Sequence, residues 1–392
     1  MAVSKACARA GARHTAVPLY NYIATMGETV ELMPLPVLTA VQLQYAGGAP
    51  TNKMSQEVLL YPTGASFFDG ALEGLVQAHQ LIKVKLAQAN IQEDPDVPLV
   101  GHPKPISMTN GAPRVADIGL LQLIEFVTSA IAGEISGEYL PAVELGHTSI
   151  AKFSEDQLTY FPYGFESQLE GAEKSGQDVV ETIISIWRQT GLVSVEDPLH
   201  PSDLDAMRML KEKIGSVMEE IRGDSASTEL PYALGGVGRD ASCPLQVVAD
   251  EAVIDANGIK KWYVSVASCV LFFPQNKTHT NIPSLHLHFE TGREGEAVFN
   301  TLKIKMSKTR TVTGAVNLAK AARQAGWQVI VGCEEGSPES ADSFIADLAV
   351  GVAASQFQGG GMESAEHLSK FNRLLQISKE NEDIKFVGRQ FR

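Results

Sequence analysis

The feature that most constrains the fold is an alternation of strand and helix patterns that runs from residue 140 towards the C-terminus. Short apolar runs alternate with segments whose apolar residues recur at helical spacing. This alternation predicts a parallel sheet covered by helices, because neighbouring parallel strands need a crossover connection. The predicted strands are Leu140–Glu144, Leu192–Glu196, Leu245–Asp250, Leu302–Met306, Gln328–Val331 and Gln356–Gln358. The predicted helices between them are Asp178–Gln189, Asp203–Ile221, Val312–Ala325 and Ser343–Ala354.

Two further strand patterns, Val37–Leu43 and Glu57–Tyr61, precede this region, and helical spacing follows at Phe67–Leu86 and Asp117–Ile131. Six strand–helix units after an opening pair of strands add up to a closed, TIM-like β/α barrel of the α/β class. We therefore expect residues 33–392 to form the barrel, with insertions near 222–242 and 262–295. Residues 1–32 read as two helices that precede the barrel.

Charge and cysteine content exclude several classes of protein. The formal net charge of -14 repels phosphate backbones, so we expect no nucleic-acid partner. The longest apolar run, Trp262–Pro274, is too short to span a bilayer, so we expect no membrane partner. The four cysteines form no CxxC pair, and the first residues lack the apolar core of a signal peptide. We expect a cytoplasmic protein with reduced thiols.

Charged residues stand at the ends of four predicted strands. Three of these strands end in a carboxylate, Glu144, Glu196 or Asp250, and a fourth ends in Lys305. Barrel active sites form at the carboxyl ends of the strands, where carboxylate oxygens can hold Mg²⁺. Such an ion can stabilise an enolate while a lysine acts as base. For any one of these residues alone, a solvated position on the barrel rim is the competing interpretation.

The exact amino-acid sequence of the C-terminal region is more informative than its pattern of apolar residues. The runs FIADLAVG and SAEHLSKFNRLLQI, within Ser343–Ile377, and the final FVGRQFR closely resemble the end of enolases. The resemblance implies an enolase-type barrel that opens with an antiparallel strand pair, with the family's N-terminal α+β domain mostly missing. It also implies the chemistry of a magnesium-dependent phosphopyruvate hydratase, a lyase of glycolysis. Enolases are usually dimers, so a homodimer is a further expectation.

The resemblance also carries functional roles onto individual residues. Enolases hold metal with carboxylates in the motifs LDxA, SIEDP and DDL, and the corresponding runs VELG, SVEDP and ADEA place Glu144, Glu196 and Asp250 there. Glu144 replaces an aspartate. Lys305, in LKIKMSKT, stands where LLKVNQIGT carries the catalytic base, and Glu57, in SQEVLLYPTGA, matches a glutamate near the reacting water.

Several departures from the family affect its catalytic positions. The histidine of the GGSHAG loop is absent from GGAPTNKM, and Met108 replaces the glutamate that handles the proton. Glu334 stands where the family's SHRSGE holds phosphate with arginine, and Gln358 replaces a lysine at the end of the last strand. A carboxylate in place of a bidentate guanidinium reverses attraction into repulsion.

Three interpretations of function follow. The first is a pseudo-enolase with a degraded site and a structural role; its GCEEGSPESADSF and FQGGG turns resemble the sperm and ciliary branch called enolase 4, which implies axonemal partners in a cilium or flagellum. The second is a working hydratase that converts 2-phosphoglycerate to phosphoenolpyruvate, with Lys303, Lys308 and Arg310 as substitute cations; the plainer interpretation is that these three face solvent. The third is another enolate-forming reaction on a non-phosphorylated acid.

Overall fold

A closed eight-stranded barrel forms the centre of the protein. We describe it from a computed structural model over residues 1–42, 57–91, 119–146, 153–160, 173–223, 245–250, 299–324, 326–333 and 341–391. The barrel strands are β2 (Leu35–Gln42), β3 (Glu57–Tyr61), β4 (Leu140–Glu144), β8 (Ser194–Glu196), β9 (Gln246–Ala249), β10 (Thr301–Ile304), β11 (Gln328–Gly332) and β12 (Gln356–Gln358). They close in the order β10-β11-β12-β2-β3-β4-β8-β9.

The barrel opens with an antiparallel turn of the chain, as the resemblance implies. Strand β3 pairs antiparallel with both β2 and β4, whereas the other neighbouring strands pair in parallel. Because β3 runs in the opposite direction, its first residue lies at the rim where the other strands end. Glu57 is accordingly the register partner of Glu144, and Glu144 is the register partner of Glu196.

Amphipathic helices cover the outside of the barrel. Their boundaries agree with the spacing of apolar residues to within a few positions, since that spacing marks the face that packs on the strands. The helices are α1 (Ala2–His14), α2 (Leu19–Gly27), α3 (Phe68–Gln88), α4 (Leu120–Ile131), α5 (Gly176–Thr190), α6 (Leu204–Gly223), α7 (Met306–Thr309), α8 (Val312–Gln324), α9 (Phe344–Gly351) and α10 (Ala365–Glu380).

The N-terminal helices pack against α9 rather than standing apart from the barrel. Thr29 donates a hydrogen bond to the backbone oxygen of Gly351, at 2.6 Å. A Cβ at Gly351 would lie 2.6 Å from the backbone oxygen of Tyr20, so only glycine allows this approach. All of α9 is buried, as expected for a helix that is apolar nearly all round. The division at residue 32 stays a prediction.

Short pairings that the sequence pattern did not predict complete the fold. Strands β5 (Phe153–Ser154), β6 (Thr159–Tyr160) and β7 (Lys174–Ser175) form a small antiparallel sheet. Strands β1 (Leu32–Met33) and β13 (Lys385–Phe386) pair in parallel. Two-residue strands bury too few side chains to leave a periodic signal in sequence.

The C-terminus closes the end of the barrel opposite the carboxylates. A 3₁₀ turn, Gly388–Gln390, leads to Phe391, whose ring centroid lies 5.4 Å from that of Tyr61. The side-chain amide of Gln356 donates to the backbone oxygen of Phe391, at 3.2 Å. This end of the barrel is therefore filled by the chain itself.

The predicted insertion at 262–295 and nearly all of the one at 222–242 lie outside the described residues. Within the described part of the chain, the helices are all too short or too polar to cross a bilayer.

Candidate active site

Three buried carboxylates meet at one rim of the barrel. Glu144 ends β4 and Glu196 ends β8, while Asp250 directly follows β9. These strands are consecutive in the barrel, so their ends converge. Each side chain offers one oxygen, and the three oxygens lie within 4.8 Å of one another. The structure thus brings together the three residues predicted as metal ligands, which we call the acidic cup.

A second aspartate fixes the position of Asp250. The backbone N–H of Asp250 donates to Oδ1 of Asp197, at 2.9 Å. Asp197 follows Glu196 directly and has a φ of 43°, in the left-handed region that aspartate tolerates better than most residues. This turn after β8 therefore presents Glu196 to the cup and holds the start of the loop after β9.

Glu57 lies beside the cup but belongs to the antiparallel strand. It is buried at the first position of β3, and its Oε2 accepts a hydrogen bond from Thr39 at 3.1 Å. Because Glu57 is the register partner of Glu144, the two carboxyl groups come from adjacent strands at the same rim. The structure therefore places Glu57 next to the candidate metal ligands.

The ammonium group of Lys303 lies between the three carboxylates of the cup. Its Nζ is 2.8 Å from Oε2 of Glu196, 3.4 Å from Oε2 of Glu144 and 3.5 Å from Oδ2 of Asp250. The side chain is only 2% exposed. The interpretation that Lys303 faces solvent is therefore wrong. Residues two apart on a strand point to the same face, so Lys303 shares the barrel interior with Lys305.

Two further lysines contact Asp250. Lys305 Nζ lies 2.6 Å from Oδ2, and Lys308, on α7, pairs with Oδ1. Burial by itself would raise the pKa of Asp250, but the ammonium groups of Lys305, Lys303 and Lys308 outweigh it and hold that pKa well below its usual range. Lys308 is mostly buried, so its predicted solvent-facing position is also wrong, whereas Arg310 is exposed.

The last barrel strand contributes an amide. Gln358 ends β12, and its Nε2 donates to Oε1 of Glu196. Glu196 therefore accepts from an ammonium on one oxygen and from an amide on the other. The neighbouring strand end is Gly332, where a Cβ would lie 2.9 Å from Cε of Lys303. The missing side chain leaves the space through which Lys303 reaches the cup.

The donor set of the cup fits a divalent cation in its chemistry. Three carboxylates at this spacing could hold Mg²⁺, a hard ion that prefers oxygen ligands. The position of Lys303 does not fit, because an ion bound by the same oxygens would lie against the Lys303 ammonium. Two unit charges ~4 Å apart repel by ~4 kcal/mol at an effective dielectric constant of ~20, and the double charge of Mg²⁺ doubles that repulsion.

Some of the other predicted site residues lie in the described part of the chain and some lie outside it. Lys305 joins the cup, as predicted from its place at the end of a strand. The roles of Glu57 and Lys305 in catalysis and of the cup carboxylates as ligands stay predictions. Met108 and Glu334 lie outside the described residues. The sequence analysis named Lys303 only as a substitute cation and favoured a solvent-facing position, although its two-residue spacing from Lys305 puts both on one face of the strand.

Comparisons with known proteins relate the chain to enolases. Residues 280–392 match the family described as "Enolase, C-terminal TIM barrel domain". The chain is also 24% identical over 397 residues to Enolase 2 of Hevea brasiliensis, an alignment that covers 100% of this chain and 72% of that relative. With the closed barrel, the family match confirms the predicted fold class.

Proposed function

We propose that this protein, whose barrel and relatives support a place in the enolase family, is a structural or binding barrel that has lost ordinary phosphopyruvate hydratase activity. The observation that carries the proposal is the ion pair between Lys305 Nζ and Asp250 Oδ2, at 2.6 Å. A general base must be unprotonated to accept a proton from substrate. An adjacent carboxylate favours the protonated, charged form of lysine instead.

The other charged groups of the cup support the same conclusion. Lys303 and Lys308 also donate to cup carboxylates, so three lysines balance three acids. A substrate with phosphate and carboxylate groups would have to draw these cations away from buried carboxylates. Leaving a buried charge without its partner costs several kcal/mol, on the order of 3–5. The site therefore favours its own internal pairs over an anionic ligand.

The alternative is a magnesium-dependent hydratase that converts 2-phosphoglycerate to phosphoenolpyruvate. The spacing of Glu144, Glu196 and Asp250, with oxygens within 4.8 Å of one another, is the observation that favours it. When bound, a divalent cation would stabilise charge that develops on a substrate carboxylate. In that reading Lys305 would take up a proton and Glu57 would hold water, after the lysines release the cup.

Turnover of 2-phosphoglycerate separates the two readings. The full chain is assayed for phosphoenolpyruvate formation with Mg²⁺, beside an authentic enolase, a Lys305→Ala variant and a Lys320→Ala control. Lys320 pairs with Glu28 on the surface. We expect the wild-type chain to give no more product than Lys305→Ala. Turnover near ordinary enolase rates that Lys305→Ala abolishes and Lys320→Ala leaves intact would refute the proposal.

The location and partners of this barrel form part of the same proposal. The resemblance of the Gly332–Phe344 and Phe357–Gly361 turns to the sperm and ciliary branch supports a role beside axonemal proteins in a cilium or flagellum. A tagged full-length chain expressed in ciliated cells tests this. We expect it to co-localise with axonemal tubulin and to remain after detergent extraction. An even distribution through the cell body would contradict the ciliary role.

A further inference from the structure

The acidic cup surrounds a cation that belongs to the chain itself, the Lys303 ammonium. Lys303 comes from β10, and the three acids come from the ends of β4, β8 and β9, so the group spans four consecutive strands of the barrel. Its ammonium nitrogen lies 2.8–3.5 Å from one oxygen of each acid. One buried lysine thus contacts every carboxylate of the cup.

We propose that the Lys303 ammonium is the resident cation of this cup and takes the place of a divalent metal. The proposal deepens the proposed function of the same site and rests on it. Its consequence is specific: the wild-type chain keeps the cup assembled without Mg²⁺, and neutralising Lys303 alone turns the cup into a divalent-cation site.

The surroundings of Lys303 support this role. At Gly332 a Cβ would lie 2.9 Å from Cε of Lys303, so the neighbouring strand leaves the path of the lysine side chain open. Gln358 donates its amide to Glu196 and adds no further positive charge.

Charge balance explains why one substitution is enough. Lys303, Lys305 and Lys308 match Glu144, Glu196 and Asp250 in number, so these six groups carry no net charge. A divalent cation added to the cup meets three ammonium groups. The Lys303→Met variant keeps an unbranched side chain of similar length but leaves a net negative cup with its centre vacated. Removing one positive charge at contact distance should tighten divalent-cation binding by at least ~10-fold.

The experiment titrates Mn²⁺ into the full chain and follows free Mn²⁺ by electron paramagnetic resonance. The wild type, Lys303→Met and the matched surface control Lys320→Met are compared. We expect weak, non-stoichiometric binding by wild type and by Lys320→Met, and one tightly bound Mn²⁺ per chain in Lys303→Met. The denaturation midpoint should follow the same pattern, with Mg²⁺ stabilising only Lys303→Met.

Two results overturn the proposal. One is stoichiometric Mn²⁺ binding by wild type that is lost in Asp250→Asn, with circular dichroism showing that this variant is folded. The other is a folded Lys303→Met, or Lys303→Gln if the first variant is insoluble, that binds no more Mn²⁺ than wild type. The hydratase assay on the same samples separates the two proposals. Turnover without bound metal contradicts the proposed function alone, whereas bound metal without turnover contradicts this inference alone.

Discussion

Gly332 and Lys303 lie on adjacent barrel strands and are packed so closely that a Cβ on Gly332 would lie 2.9 Å from Cε of Lys303. We therefore expect Gly332→Ala to displace the lysine from the cup and to lower the free energy of unfolding by about 1–3 kcal/mol, the usual cost of overpacking. Urea denaturation measures this. Gly361→Ala is the control, since a Cβ there meets nothing within 4 Å. Equal stability of the two variants would contradict this prediction, because it would show that the Lys303 side chain can move aside for a Cβ at residue 332 without cost.

A lysine introduced at the end of β12 should destabilise this protein. Gln358 is buried and donates to Glu196, which already accepts from Lys303. Gln358→Lys would bring a second ammonium to the same carboxylate, and we expect a loss of about 2 kcal/mol from like-charge repulsion and desolvation.

The control for that substitution is Gln376→Lys on the exposed face of α10, where Gln376 donates to Glu380 at 2.6 Å. We expect a change within about 0.5 kcal/mol there. Thermal or urea unfolding compares the two variants. A Gln358→Lys protein as stable as wild type, or one that gains hydratase turnover, would contradict the proposal that the acidic cup is already filled by the Lys303 ammonium.

Arg373 and Asp347 join α10 to α9 through two parallel hydrogen bonds, at 2.9 and 2.8 Å. Asp347 is the acid of the FIADLAVG run and is almost fully buried. Lysine cannot reproduce this fork, so Arg373→Lys should lower the free energy of unfolding by about 1–3 kcal/mol. Arg208→Lys, at an exposed pair with Asp205, should change it by less than about 0.5 kcal/mol. Equal losses of unfolding free energy for the two variants in urea titrations would show that the paired hydrogen bonds of Arg373 add no more stability than an exposed ion pair.

Asp342 should make the docking of α1 sensitive to acid. Burial by itself would raise the pKa of Asp342, but the hydrogen bond from Arg9 and the charges of Lys5 and Arg9 lower it overall. A carboxyl group with a lowered pKa stabilises the folded state above its ordinary value of ~3.9. That stabilisation is lost as the pH falls through the folded value.

Hydrogen exchange of the α1 amides measures this effect at neutral pH and near pH ~3. Exchange is expressed as protection factors, which correct for the slower intrinsic exchange in acid, and we expect those of α1 to fall at the acid end by more than those of α3. In Asp342→Asn, the α1 protection factors should be low at both pH values, because the amide cannot ionise. An acid-induced loss of protection of the same size in Asp342→Asn would assign the effect to another group.

The barrel could be predicted from sequence because its signals are repeated and local. Strands β3, β4 and β12 have the predicted boundaries, and the other predicted strands differ by a few residues at their ends. The convergence of Glu144, Glu196 and Asp250 followed from the rule that parallel strands end at one rim. The strand pattern recurs eight times around the barrel. An error of one or two residues at the end of a predicted strand therefore leaves the other strands, and the rim at which they end, unchanged.

The role of Lys303 could not be predicted in the same way. Lysine is rarely buried without a partner, so a lysine in a strand is normally taken to face solvent. Its partners come from positions 53 to 159 residues away, and only the closed barrel brings them together. The small sheet at Phe153–Ser154 was missed for a different reason, since two residues carry no periodicity.

The most direct test of the account is a crystal structure of the wild-type chain grown with Mn²⁺ and recorded at the manganese absorption edge. We predict that Lys303 Nζ lies 2.8–3.5 Å from oxygens of Glu144, Glu196 and Asp250, with no anomalous peak between them. An anomalous peak among these three carboxylates, with the Lys303 side chain turned away from them, would contradict the account.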